Sequence, residues 1–255
     1  SHVTTEVTSL MSQARTIDLV NGEASSGFTM EGYPHRAIFS MPFQGLTDKG
    51  IPTYLNEKGE LTSTDLDFQN RNSNGYLIYE GPTEPTITGS LGNEIKWKNW
   101  RLNVFLTYSF GSYVRLDRIF SAQYNDLTAM TKEFKNRWMQ AGDEKTTSVP
   151  TILPYRSFAS DRNLRIAYNA YNYTSNRTAK GDFVRMKEIS LGYDFPKAML
   201  RATPFTNLSL KLQATNLFLI YADKKLNGQD PEFVNAGGVA APIPRQFTMT
   251  LKFGL

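Results

Sequence analysis

No cysteine occurs in the 255 residues, and histidine occurs only twice. The first absence excludes disulfides, thiolate metal sites and cysteine nucleophiles. The second leaves too few imidazoles for zinc or Ser-His-Asp chemistry; His2 and His35 both fall near strand starts and read as structural or solvated side chains. No apolar run reaches the roughly 18–20 residues of a spanning helix. That exclusion does not extend to a membrane β-barrel, whose strands need an apolar residue only at every second position. Charge of one sign is not concentrated anywhere. Lys and Arg total 28 against 24 Asp and Glu, and the two signs are interspersed, which argues against nucleic-acid binding. No fixed repeat is present. SHVTTEVTSL lacks the basic segment and apolar core of a signal peptide and reads like the interior of a strand, so the chain is expected to begin inside a larger protein.

What is abundant is aromatic character, 13% of the chain, and alternation. The last residues, FTMTLKFGL, alternate Phe247, Met249, Leu251, Phe253 and Leu255 with smaller or polar partners. Termini usually fray and are polar, so five large apolar side chains on one face need an apolar surrounding. The same pattern runs through 86–97 and 100–111, joined by Lys98-Asn99 as a hairpin. In the second of these, Trp100, Leu102, Val104, Leu106, Tyr108 and Phe110 share a face. Six such alternations span about 35 Å, beyond the ordinary strand. Strand pattern returns at 182–196 and 206–221. Shorter strand-like runs occupy 3–9 and 35–46, and 47–85 reads as a long loop. Between 112 and 181 the pattern breaks. There Asn125 or Asp126 is a plausible cap, Leu127, Met130, Phe134 and Trp138 form a stripe at helical spacing, and Gly142 is a stop, so one amphipathic helix is expected. A Tyr-rich loop with Tyr155, Tyr168, Tyr171 and Tyr173 follows.

Short links therefore alternate with long loops. Aromatics flank the apolar band at both ends: Trp97 and Trp100 beside the short link, Tyr108, Phe110 and Tyr113 at the other end, with Tyr193 and Phe253 as further interface candidates. Two interfacial girdles and one-sided loop lengths are the signature of an outer-membrane barrel. A soluble sandwich, such as a secreted carbohydrate-binding β-domain, also supplies long strands but no reason for girdles.

Catalytic residues do not stand out, and no cofactor or metal is expected. Asp223, Asp230 and Glu232 share a loop and raise the thought of paired carboxylates, as in a barrel hydrolase, or of calcium. Their spacing fits no calcium loop, and Asp-Pro-Glu is good turn chemistry. Trp138 and the loop tyrosines Tyr155, Tyr168, Tyr171 and Tyr173 are candidates for stacking on a substrate or on a partner protein. Sequons at Asn172, Asn176 and Asn207 read as chance.

The C-terminal third carries a resemblance. Residues 183–196, FVRMKEISLGYDFP, look like a "FLRLKN-x-x-LGY-x-x-P" strand; Asn216-Leu217-Phe218, Gly228 with Asp230-Pro231-Glu232, and Pro244-Arg245 follow as "NLF", "G-x-DPE" and "P-x-x-R" marks. In this order they resemble the end of a SusC/RagA-type TonB-dependent transporter. Weaker likenesses lie in EGYPHRAIFSMPFQGL, in GSLGNEIKWKNWRLNVFLTYSFG and in NRW at 136–138, and together they cover most of 30–255. Thr250 stands where a Gly is common, and Leu255 where many barrels end in an aromatic. The resemblance implies an all-β fold: about the last seven strands of a 22-stranded antiparallel transmembrane barrel, with long extracellular loops, one holding a short helix. The plug domain and the TonB box would lie outside residues 1–255. It further implies residence in the cell outer membrane, uptake of oligosaccharides or peptides without enzymatic chemistry, and work with a SusD-like surface lipoprotein and the TonB complex, in dimers of such transporter–lipoprotein pairs. Loops 47–85, 112–181 and 222–242 would then be extracellular.

Overall fold

The computed structural model describes residues 1–21, 29–120, 131–234 and 243–255. Five long strands dominate it: β6 (Ile87–Trp97), β7 (Trp100–Phe110), β10 (Phe183–Asp194), β11 (Asn207–Ala222) and β12 (Gln246–Gly254). They form one antiparallel sheet in the order β12-β11-β10-β7-β6. Around its upper end lie the short strands β1 (Ala37–Ser40), β2 (Phe43–Leu46), β3 (Pro52–Leu55), β4 (Leu61–Thr62), β5 (Ile78–Pro82), β8 (Tyr113–Arg115) and β9 (Thr178–Lys180). Four short α-helices complete it: α1 (Thr16–Asn21), α2 (Tyr155–Ser160), α3 (Arg162–Tyr171) and α4 (Lys197–Leu200).

Register carries each alternation across the whole sheet. Ile95, Leu102, Leu191, Leu212 and Met249 stand side by side, and Trp97, Trp100, Tyr193, Leu210 and Leu251 form the next row. One residue along, the rows turn polar: Glu94, Asn103, Ser190, Gln213 and Thr248, then Lys96, Arg101, Gly192, Lys211 and Thr250. Because the strand period is two, one face of the sheet is apolar and the other polar. Lys98 takes a left-handed φ of 54° to close the β6–β7 hairpin. Gly89 makes room for the Tyr108 ring, whose hydroxyl would stand 2.4 Å from any Cβ there.

Halfway up, pairing slips. Lys187 on β10 faces Asn216 and Leu217 on β11, neither of which has a ladder partner, and Asn216 adopts φ 54°. Asn tolerates this conformation better than other side chains, and the bulge bends the upper part of the sheet.

The short strands pack into a cap with its own core. Leu19, Phe39, Met41, Tyr54, Leu66, Ala167, Tyr168 and Tyr173 come from four stretches of sequence and bury one another. Residues 47–85 thus contribute β3, β4 and β5 to a packed cap, where a loop had been expected. Two of the expected strands also differ. Residues 35–46 break at Met41–Pro42 into β1 and β2, and residues 3–9 form no strand; just before them a bridge from His2 to Ile87 reaches the large sheet. That sheet therefore has five long strands among the described residues.

The amphipathic helix expected around 124–142 is also corrected. Tyr124 to Met130 lie outside the described residues. Beyond them only a 3-10 turn, Lys132–Asn136, forms; Arg137 is extended, and the Trp138 amide donates to Val149 O at 2.9 Å. Packing of the Trp138 ring over Gly50 overrides helical spacing. The helices in this region are α2 and α3, inside the stretch expected to be a tyrosine loop. Asp161 caps α3, accepting from the amides of Asn163 and Leu164 at 2.9 and 3.2 Å.

Candidate functional site: a two-faced sheet and its cap

The apolar face of the large sheet is uncovered. Ile95, Trp97, Leu191, Leu212, Met249, Leu251 and Phe253 are all exposed, Met249 at 72% and Leu251 at 55%. Leu102 and Leu210 are half-buried by their neighbours alone. No residue of this face belongs to a core cluster among the described residues. About a dozen such side chains, half in solvent, expose on the order of 1,000 Å², whereas a soluble monomer's largest apolar patch is a few hundred. Aromatics mark both ends. The Trp100 ring lies tilted against Tyr193 at 4.5 Å and Tyr193 meets Phe195 edge-to-face at 5.0 Å, while Phe205 meets Phe253 at 5.4 Å. At the other end Tyr108 lies 5.8 Å from Phe110. From the Trp100 row to the Tyr108 row is about 27 Å along the strand, or about 20 Å once tilted as in a barrel.

The polar face forms a groove of about 390 Å³ bordered by Glu94, Arg101, Asn103, Asp194, Lys211 and Lys252. Arg101 donates to both oxygens of Asp194 at 2.7 Å, and Lys96 pairs with Glu94 at 2.7 Å. These groups alternate in sign and remain wet. They suit the wall of an aqueous path better than a chemical centre.

The expected contact residues divide. Tyr168, Tyr171 and Tyr173 are buried at 2%, 1% and 5%, so their rings belong to the cap's interior and not to a ligand surface. Tyr171 packs edge-on against Phe43 at 5.5 Å, and burial pushes its hydroxyl up to about 12. The Tyr173 hydroxyl donates to Asn21 Oδ1 at 3.1 Å and accepts from Arg118. The sequence reads them as aromatic residues of a loop; α3 instead turns Tyr168 and Tyr171 inward, and Tyr173 just beyond it packs into the same core as Tyr168. Trp138 is half-buried, its indole N–H donating to Glu144 at 3.2 Å. Tyr155 opens α2.

The acidic loop is explained by a residue that sequence reasoning did not weigh. Arg185 projects from β10 and donates through Nη2 to both oxygens of Asp230, at 2.5 and 2.6 Å, with Glu232 at 3.2 Å. Arg185 and Asp230 are both nearly buried. Asp223 accepts from the amides of Lys180 and Lys225. The three carboxylates thus serve as structural acceptors. Among the described residues no group of three or more metal-ligating side chains comes together. Arg115, half-buried, is a cation held within the cap, donating to Phe39 O, Ser40 Oγ and Thr174 O at 2.7, 3.0 and 3.2 Å. Burial pulls it down to about 10, so it stays charged at neutral pH.

No family model matches the chain. Among curated proteins it is 26% identical over 223 residues to the TonB-dependent receptor P3 of Formosa agariphila, covering 86% of this chain and 20% of that protein. It is 26% identical over 194 residues to the TonB-dependent receptor P39 of the same organism, covering 71% and 17%. The chain thus spans about a fifth of the length of these relatives. Among solved structures, a RagAB peptide transporter matches at TM-score 0.61 and 19% identity, over 91% of this chain and 24% of that one. The RagAB peptide importer in its open-open state matches at 0.62 and 17%, over 98% and 25%. Both comparisons bear out the resemblance to SusC/RagA-type TonB-dependent transporters, and the fold is that of an antiparallel β-barrel segment.

Proposed function

We propose that residues 1–255 form part of the barrel wall and extracellular cap of an outer-membrane, TonB-dependent importer of oligosaccharides or peptides. The carrying observation is the large sheet, apolar and uncovered on one side, polar and grooved on the other. Water makes the first face costly; hydrocarbon makes it favourable, since each large apolar side chain contributes roughly 1.5–3 kcal/mol on leaving water. Membrane residence also answers why the chain's last strand is apolar at alternate positions. In this reading Trp97, Trp100, Tyr193 and Phe253 sit at the periplasmic interface and Tyr108 and Phe110 at the outer one.

The chain's contribution to uptake is passive. The wall separates lipid from lumen, the groove residues line the path, and the cap offers its surface, Trp138 included, to substrate or to a SusD-like lipoprotein. The curated relatives are named as receptors and the structural neighbours as transporters or importers, which supports a role without bond-making chemistry. Energy would come from the TonB complex through segments outside these residues. Assembly as dimers of transporter–lipoprotein pairs belongs to the same proposal.

Residues 1–255 hold no cysteine, so labels placed among them report alone once the full-length protein is otherwise free of reactive cysteine. Single spin labels at Leu102→Cys, Leu210→Cys and Leu251→Cys, and at Asn103→Cys, Lys211→Cys and Thr250→Cys, are compared in the membrane-reconstituted full-length protein. The first set should collide with oxygen dissolved in hydrocarbon, the second with a water-soluble nickel chelate. Equal aqueous access at both sets would favour the soluble carbohydrate-binding domain instead.

A further inference from the structure

We propose that residues 223–234 are a strap closed against the upper end of the wall, and that Arg185 is the latch that holds it. The segment follows β11 directly, yet it joins no sheet. Its main-chain hydrogen bonds, from Leu226, Asn227, Gln229 and Phe233, go to Asp223, Lys224, Leu226 and Asp230, all within the strap. It is therefore a self-bonded unit that can swing without breaking a ladder.

What ties it down is side chains. Asp223 accepts from the Lys180 amide at 2.9 Å, and Lys225 Nζ donates to Thr178 O at 3.2 Å. Leu226, 1% exposed, inserts among Val114, Leu116 and Ala179. Asn227 Nδ2 donates to Glu133 at 3.2 Å, and Glu133 is paired with the buried Arg177. The strongest tie is the Arg185 knot. Arg185 cannot follow the strap, because β10 is bonded on both sides, to Thr107 of β7 and Leu219 of β11. Its guanidinium meets two strap carboxylates, Asp230 almost buried and Glu232 43% exposed in its side chain. All of these contacts use Nη2, and Nε is buried without an acceptor. A fork pairing would use two nitrogens, so this end-on knot is weaker than the guanidinium allows. Asn227 and Gly228, both left-handed at φ 53° and 88°, give the strap its reversal. A fixed arginine, a self-bonded partner outside every ladder and an end-on pairing together make a latch and not a permanent seam.

Leu226→Cys reports the state of the strap, because its thiol is buried only while the strap is closed. In the full-length protein in native membranes, otherwise free of reactive cysteine, alkylation of this thiol should be slow. Arg185→Met should accelerate it by about tenfold or more, since removing one partner leaves the buried Asp230 carboxylate unpaired. Asp230→Asn combined with Glu232→Gln should do the same from the strap side. The charge swap Arg185→Asp with Asp230→Arg should restore slow labelling. Arg101→Met, which removes an ion pair at the opposite end of the sheet, should leave the labelling rate of this thiol unchanged. Unchanged labelling in the Asp230/Glu232 variant with a heat-modifiable barrel would overturn the latch, as would equal acceleration by Arg101→Met. Should Arg185→Met prevent barrel formation, the Asp230/Glu232 variant decides alone. The contacts hold whatever bathes the sheet, so this result stands apart from that of the spin-label test.

Discussion

Single residues hold the cap in ways that respond to pH. Arg15 precedes α1 and Asp18 is its third residue; Asp18 accepts from the Arg15 amide at 3.1 Å and from Nε and Nη2 at 2.8 and 2.7 Å. This reaches back across the first turn as a capping box does. The guanidinium beside it holds the Asp18 carboxyl below its ordinary range, against a smaller opposing effect of burial. A depressed acid stabilises the fold above its unfolded pKa, and that stability disappears as pH falls through the lower native value. Protection factors of the Leu19 and Val20 amides should therefore be flat above about pH 4 and decline below it. Asp18→Asn should lower them at neutral pH and abolish the decline. An unchanged acid profile in Asp18→Asn would show that some other carboxylate holds α1.

Elements show where sequence patterns were legible and where they were not. The long strands could be read because their environment repeats every second residue for the full length of β7 and β12, so register and face follow from one rule. The cap could not be read this way. Its core gathers Leu19, Phe39, Tyr54 and Tyr168 from distant parts of the chain, and no local period encodes such a meeting. Trp138 kept helical spacing yet packs on Gly50 in an extended segment, whereas α3 shows its Asp161 cap and buried Ala167, Tyr168 and Tyr171 openly. The Arg185 knot was half visible: both motifs were recognisable, their pairing was not. For the strands, the two faces predict opposite tolerances. Leu251→Lys puts a charge on the apolar face and should cost about 2–4 kcal/mol if it lies near the bilayer midplane, less toward the interface. Thr250→Lys, one residue away, joins Lys211 and Arg101 on the wet face and should be accepted. The yield of heat-modifiable barrel in outer-membrane fractions measures both. Equal loss in the two variants would mean that the faces are not solvated differently.

At the scale of the molecule, wall and cap are stabilised by different surroundings. The wall's long strands are tied by long ladders, interrupted only at the bulges on β10 and β11, and bury little against protein; in the proposed setting lipid supplies the apolar contact. The cap is a water-soluble style of core, with Phe39 at 1% exposure and touching Tyr33 and Tyr79 rings at 5.1 and 5.8 Å. Its hydrogen bonds join separate segments, as when the Tyr54 hydroxyl donates to Ala167 O at 2.5 Å. Phe39→Ala should consequently open a cavity worth about 3–5 kcal/mol in the cap and leave the wall's ladders untouched. Limited proteolysis of membranes should then cut the cap at segments that resist in the parent protein, while the barrel keeps its heat-modifiable mobility. If the barrel is lost together with the cap, the two share one cooperative unit, and the ladders alone do not sustain the wall. If neither changes, the cap core tolerates the loss of its central ring, and its stability must come from the Arg115 network that ties β1 to β8 and from the pairing of Arg177 with Glu133.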